Sequence, residues 1–279
     1  MGGTGRIKSS PKHNNMNKPT VYVVKIGGAV IDDEPALQGF LDAFAGIGSA
    51  RLLVHGGGRR ATELARQMDI PQQMYHGRRV TDAATLELVT MVYAGGINKK
   101  IVAALQARAC DAIGLSGADG NLLPAVRRPV KDGVDFGYVG DILPGADTSL
   151  LQLMLDSGRT PVIAPLTHDG KGQLLNINAD TISQELAKAL SAKYTVRLVY
   201  TFEKKGVLLD TEDDDSVIAT LDEPYYKQLL EEGKIFAGMI PKLDNAFAAL
   251  HAGVDAVIIG NAGALDLMIG GQSGTTIRI

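Results

Sequence analysis

The chain has 279 residues and a net charge of -3, with 28 Lys and Arg against 31 Asp and Glu, so no basic surplus points to nucleic acid. A single cysteine, Cys110, excludes an internal disulfide framework and fits a reducing cytoplasm. The hydrophobic fraction of 45% is that of a globular protein, and no apolar run in the sequence reaches the roughly 18 residues of a membrane span.

Residues 1–15 are polar and rich in Gly, Ser, Lys and Asn; 1–19 reads as a disordered leader or tag outside the fold. The apolar run 21–26 then predicts a buried strand. A helix follows over 34–45, a strand over 51–55, a helix over 58–68, and two helices over 82–93 and 96–109. A strand is expected at 111–115. Residues 119–145 break the rhythm. Asp119-Gly120-Asn121, Arg127-Arg128-Pro129 and Lys131-Asp132-Gly133 are turn signals between short β-prone pieces, and predict a β-hairpin excursion. Beyond it come a helix at 147–157 and a strand at 161–165. The polar turn Asp169-Gly170-Lys171-Gly172 suggests a lobe boundary within 170–178, dividing 20–175 from 176–279. The second lobe reads as helix 180–192, strand 196–201, helices 223–232 and 241–252, and strands 255–260 and 275–279. Asp213-Asp214-Asp215 is a solvated loop tip. Strand–helix alternation implies a mainly parallel sheet covered on both faces, with ligands beyond the carboxyl ends of the strands.

Glycine-rich segments fall at those ends. Lys25 closes the first strand ahead of Gly27-Gly28. It reads as a snorkelling edge lysine or as a phosphate contact, and the glycine pair favours the contact. His55-Gly56-Gly57-Gly58 opens a helix that begins Arg59-Arg60. Cations in a first turn oppose the helix dipole by roughly 0.3–1 kcal/mol each, which a bound anion or solvent exposure would offset. His55 has no ligand partner at useful spacing and reads as structural. Lys242 follows Pro241 at another expected helix start, with Gly238 just before it; it is an exposed lysine or an anion contact. In Asn176-Ile177-Asn178-Ala179-Asp180, Asp180 would serve as an N-cap and the two asparagines would share one side of an extended segment. Gly77-Arg78-Arg79-Val80-Thr81-Asp82 offers an arginine fork for a carboxylate, beside a second cap. Neither a Walker A loop nor a G-x-G-x-x-G fingerprint occurs.

In their order and spacing these segments resemble the amino acid kinase family, and within it the branch acting on N-acylglutamate. The resemblance runs from about Val21 to Ile279. It implies a three-layer αβα sandwich, the carbamate kinase-like fold, with an amino-terminal lobe for the acylated amino acid and for dimerisation and a carboxyl-terminal lobe for ATP. The implied reaction transfers the γ-phosphate of Mg-ATP to the side-chain carboxylate of N-acetylglutamate. Lys25 and Lys242 match the two lysines that stabilise the transferring phosphoryl group, and Asp180 the carboxylate that positions them. Gly57, Gly58, Arg79 and Asn176 match substrate contacts; Gly27, Gly28, Gly56, Thr201, Gly206 and Gly238 match the phosphate and ATP side. No protein metal site is implied, since Mg²⁺ comes with ATP.

Two features depart from the family. The usual Thr-Asp-Val-x-Gly-Val reads here Thr201-Phe202-Glu203-Lys204-Lys205-Gly206-Val207, without the aspartate and one residue longer. The tail Gly260-Asn261-Ala262-Gly263-Ala264-Leu265 and residues 1–19 lack the marks of arginine-inhibited members. A cytoplasmic homodimer without arginine feedback is therefore expected, with ATP and N-acylglutamate as small-molecule partners and neither nucleic acid nor membrane. Two alternatives stay open: another acyl group such as succinyl, and a catalytically silent sensor on the same fold.

Overall fold

The computed structural model describes residues 18–210, 212–236 and 238–279. Most of the expected leader, 1–17, lies outside the described residues. Lys18 and Pro19 already belong to the fold: Lys18 Nζ donates to the Ser191 carbonyl, and the Pro19 carbonyl accepts from Thr195 N.

Strand β1 (Thr20–Ile26) is followed by a single turn, α1 (Gly28–Asp32), and by α2 (Glu34–Ala45), capped by the Asp33 side chain. Next come β2 (Ala50–His55), α3 (Gly58–Gln67) and a small hairpin, β3 (Gln73–Tyr75) with β4 (Arg78–Val80). Helix α4 (Ala83–Thr90) starts at Asp82, whose carboxylate accepts from Thr85 N as the expected cap. It passes through a π-helical turn, Met91–Ile97, into α5 (Asn98–Gln106). After β5 (Ala112–Ser116), β6 (Ala125–Arg127) pairs antiparallel with β7 (Gly140–Ile142), the hairpin excursion expected there. Then follow α6 (Ser149–Asp156), β8 (Thr160–Ala164), and a second small hairpin of β9 (Leu166–His168) and β10 (Leu174–Asn176). The remainder is α7 (Ala179–Leu190), β11 (Thr195–Phe202), β12 (Thr220–Leu221), α8 (Glu223–Glu231), α9 (Ile240–His251), β13 (Ala256–Asn261), α10 (Leu265–Ile269) and β14 (Thr275–Ile277).

One sheet of order β12-β14-β13-β11-β1-β2-β8-β5 runs through the molecule, parallel except where β13 meets β14. Helices cover both faces, which makes a three-layer αβα sandwich. Alternation along β1 divides the core: Val21 and Val23 pack with Ile182, Leu186 and Leu190 of α7 and Leu243 and Phe247 of α9. Tyr22, Val24 and Ile26 pack on the opposite face with Phe40 and Phe44 of α2 and Leu88 and Ile101 of the long helix. The same alternation aims Lys25, two residues after Val23, at the α7 face.

The expected break between helices 82–93 and 96–109 is overturned. Ala83–Gln106 is one helix of 24 residues, and Gly95-Gly96 lie inside its π turn. Burial of Leu88, Val89, Val92, Tyr93, Ile97, Ile101 and Leu105 along one side outweighs the roughly 1 kcal/mol that each helical glycine costs. The apolar run within it stays short, interrupted by Glu87 and by Lys99-Lys100. By length and composition the helix is apolar enough to cross a membrane. Its buried side is instead covered by the sheet and by neighbouring helices, as in the core helix of a globular fold.

Phe40 is 1% exposed and stacks on Phe44 with ring centroids 6.1 Å apart. Phe40→Ala should cost about 3–5 kcal/mol of unfolding free energy in urea titration, with the slope of the transition unchanged.

Candidate active site

β1 lies between β2 and β11, where the chain order turns from one half of the sheet to the other. Such a switch point opens a crevice at the carboxyl ends of the strands. Here those ends are Ile26, His55 and Phe202, and the register holds them level: Lys25 pairs with Val54 on one side and Tyr200 on the other. Thr201 Oγ1 donates to the Lys25 carbonyl at 3.0 Å and ties β11 to β1 at the rim. A cavity of about 1000 Å³ opens above. The amino ends of α3, α7 and α9 all point into this region and supply free backbone N–H groups and the positive ends of their dipoles.

Every sequence-predicted site residue except Asp180 lines this cavity: Lys25, Gly27, Gly28, Gly56, Gly57, Gly58, Arg79, Asn176, Thr201, Gly206, Gly238 and Lys242. Asp180 reaches it through Lys25, whose ammonium lies 2.9 Å from Asp180 Oδ1. That contact is charge against charge without hydrogen-bond alignment, since the buried Oδ1 accepts no aligned bond among the described residues. The expected capping role of Asp180 is overturned. Asn178 caps α7, its side chain accepting from Asp180 N at 2.8 Å. Asp180 sits within the first turn, which leaves its carboxylate free for Lys25. The two asparagines therefore part company: Asn176 is buried and donates to Thr81 Oγ1, while Asn178 is exposed at the helix end.

Lys242 stands in the first turn of α9. Pro241 takes the second helical position, one later than expected, because the helix begins at Ile240. The Lys242 ammonium is 3.8 Å from the centroid of the Phe202 ring, and that ring is 5.7 Å from Lys25 Nζ. Burial is the main force holding the Lys242 ammonium below the usual lysine range; Asp180 opposes the shift and Lys25 adds to it. Two ammoniums and one carboxylate thus leave surplus positive charge facing the cavity. This chemistry suits an incoming polyanion.

Opposite the lysines, Arg79 is anchored as well as presented. Its Nη2 donates to the Gly58 carbonyl at 2.9 Å and to Thr62 Oγ1 at 2.8 Å, and its Nη1 donates to Gln72. Gly57 has φ of +154°, and a Cβ there would lie 2.4 Å from Ile97 Cδ1 and 3.0 Å from Tyr93 Cδ1. Only glycine fits between the π turn and the cavity. The π turn in this way seats Tyr93, a wall residue, against the glycine loop.

Residues 20–261 match the amino acid kinase family model. The chain belongs to the amino acid kinase family. The acetylglutamate kinase of Cytophaga hutchinsonii is 53% identical over 88% of this chain and 92% of its own length. Among solved structures, N-acetylglutamate synthase of Neisseria gonorrhoeae, complexed with coenzyme A and N-acetyl-glutamate, has a TM-score of 0.77 at 24% identity, over 94% of this chain and 59% of that one. Carbamate kinase of Giardia has a TM-score of 0.68 at 14% identity, covering 94% of this chain and 99% of its own. At these identities the two structures report the fold, which is the carbamate kinase-like one of the amino acid kinases.

Several wall residues of this amino acid kinase were not singled out from sequence. Arg128 sits on the β6–β7 excursion; Asp141 holds it at 2.7 Å and its guanidinium lies 5.4 Å from the Phe136 ring. The turn pattern Arg127-Arg128-Pro129 marked only a loop, and nothing local said that the loop folds back over the cavity. Tyr93 carried no signal beyond helical periodicity. Arg59, expected with Arg60 to be a first-turn cation facing an anion or solvent, does line the cavity, 3.7 Å from Glu203, while Arg60 pairs with Glu63.

His55 is fully buried and takes no part in the cavity wall, in keeping with its structural reading. Its Nδ1 lies 2.8 Å from the Gly56 carbonyl, and Asn98 Nδ2 lies 3.2 Å from its Nε2. The neutral Nδ1–H tautomer satisfies both contacts. Burial pulls its pKa down from 6.5 to about 4. Because unfolding lets this ring take up a proton, the stability tied to its neutral form is whole above pH 6.5 and is lost as pH falls toward 4. The loss should approach about 3 kcal/mol at the acid end of that window. Urea titrations between pH 7 and 4 should show it, and His55→Asn should flatten the profile there.

Proposed function

We propose that the chain phosphorylates the side-chain carboxylate of N-acetyl-L-glutamate with ATP, giving the 5-phosphate and ADP in arginine biosynthesis. The observation that carries this is the Lys25–Asp180 ion pair with the Lys242 ammonium beside it at the switch point of the sheet, in a chain 53% identical to a protein named acetylglutamate kinase. The acceptor carboxylate is ionised at neutral pH and is itself the nucleophile, so no general base is required. Its oxygen forms a bond to the γ-phosphorus as the bond from that phosphorus to the β,γ-bridging oxygen breaks, and ADP leaves with the electron pair. No proton moves.

In this reading Lys25 and Lys242 neutralise the phosphoryl oxygens, and Asp180 keeps Lys25 in place before substrate arrives. Gly27, Gly28 and Gly56 offer backbone donors to the phosphates. Gly57, Gly58, Arg79 and Asn176 grip the acylglutamate. Thr201, Gly206 and Gly238 border the nucleotide. Residues 20–175 serve the acylglutamate and dimerisation, and 176–279 serve ATP. Mg²⁺ arrives as part of the substrate, Mg-ATP. Among the described residues no cluster of His, Cys, Asp and Glu forms a metal cage, and phosphate oxygens with waters are the usual Mg²⁺ ligands. A cytoplasmic homodimer without arginine feedback completes the proposal.

A second substrate, N-succinylglutamate, is favoured by one observation. Arg78 lines the cavity in addition to Arg79, and Arg128, paired with Asp141, stands on the same wall, so a further carboxylate would find a guanidinium there.

Hydroxylamine trapping of the acyl phosphate should give a hydroxamate with Mg-ATP and N-acetylglutamate. N-succinylglutamate and glutamate run in parallel decide the acyl group, and silence with all three would overturn the kinase reading. Lys25→Ala and Lys242→Ala should each lower kcat by about 10²–10³ with ATP affinity changed far less. A near-normal kcat removes that lysine from the mechanism. Light scattering should report a dimer, and millimolar arginine should leave turnover unchanged.

A further inference from the structure

The charge balance around the two lysines leaves one of them without a counterion. Asp180 lies 2.9 Å from Lys25. Among the described residues the Lys242 ammonium has neither an ion pair nor a hydrogen bond, although it is half-buried and feels Lys25 beside it. The charged groups that face it are Lys25 from β1 and Asp180 from α7. On its own helix, Asp244 is occupied by the Tyr226 hydroxyl at 2.8 Å. What Lys242 does meet is the face of Phe202, at 3.8 Å from the ring centroid. The ring face carries the negative lobe of the aromatic quadrupole and attracts an ammonium most where water is scarce. Phe202 is itself held: it ends β11, beside the Thr201–Lys25 bond, and stacks on Tyr200 with centroids 6.3 Å apart and planes 26° apart.

We infer that Phe202 is a positioning residue, which seats the Lys242 ammonium on its ring face in the substrate-free protein. The inference rests on the kinase reading for its consequence, though not for the contact itself. A carboxylate at this place would bind Lys242 as an ion pair and compete with phosphate for it. A ring holds the ammonium in place more weakly and releases it to the phosphoryl group when that arrives. The ring lies 5.7 Å from Lys25 as well, so it gives the second cation a resting place near the first.

The test uses the full chain and reads the Lys242 ammonium directly, by NMR titration of ¹⁵N-labelled lysine side chains without substrate, with the Lys242 signal assigned from its loss in Lys242→Arg. Removing the ring should make the charged form harder to keep. In Phe202→Leu the Lys242 midpoint should therefore fall by about one pH unit, and kcat by about tenfold, with KM for ATP held within twofold. Phe202→Tyr should stay near the wild type. Replacement of Phe202 by 3,4,5-trifluorophenylalanine, which keeps the ring's shape and drains its face of negative charge, should move the midpoint in the same direction as leucine. It also keeps the test decisive if the leucine variant folds poorly. An unchanged midpoint with the fluorinated ring would overturn the inference, as it would mean that shape alone matters. So would a raised KM for ATP at normal kcat, which would assign the ring to the nucleotide. Failure of the kinase reading would show separately, as absence of hydroxamate with the wild-type chain, while the titration would still report the ring contact.

Discussion

Two ammonium groups held near one carboxylate are the constraint on which this structure turns. Unit charges about 4 Å apart interact by roughly 1 kcal/mol in water and several times that near a protein surface. Bringing Lys25 and Lys242 to one side of a cavity therefore costs stability in the empty protein. Asp180 answers part of that cost through its 2.9 Å contact with Lys25, and the Phe202 ring lies against the other ammonium. In the proposed reaction the residual positive charge is what a transferring phosphoryl group would meet. A group that gathers negative charge on its oxygens as it moves is stabilised most by cations already in position.

The fold can bear this arrangement because its centre is secure. β1 carries Lys25 and is the central strand of the site, buried on both faces by apolar side chains from α2, α7, α9 and the long helix. Side-chain alternation decides that Lys25 faces α7, and the parallel register places the ends of β2 and β11 at the same height. Parallel strands also set the direction of the helices that follow them. α3, α7 and α9 thus present their amino ends, where anions are favoured, at one rim. The tightest point there is Gly57, where any side chain would run into Tyr93 and Ile97 of the π turn.

Family membership and site geometry support each other on different grounds. The match over residues 20–261 is a statement about the whole chain. The cavity says which side chains could act together, and it collects the lysines, the glycine loops, Arg79 and Asn176 from segments more than 200 residues apart in sequence. Where the family's usual pattern has Thr-Asp, this chain has Thr201-Phe202, and the ring lies 3.8 Å from the Lys242 ammonium.

By itself the sequence determined the layer architecture, nearly every strand of the large sheet, and the glycines and lysines that line the cavity. These are legible because they rest on local rules: apolar runs of strand length, helical periodicity, and glycines at the ends of strands. The tertiary structure alone decided the rest. The helix expected to break at Gly95-Gly96 continues, because burial of one side over 24 residues outweighs two local penalties. Asp180 was readable as a cap, yet Asn178 takes that role, and the carboxylate turns to a lysine that lies in another strand. Arg128 and Phe202 gave no local sign of their positions, since one belongs to a turn and the other to a strand end. Their partners, Asp141 with Phe136 and Lys242 with Lys25, are brought near only by the closing of the chain. Electrostatic and aromatic contacts depend on distance in space, and sequence spacing encodes that distance only within a turn or a strand.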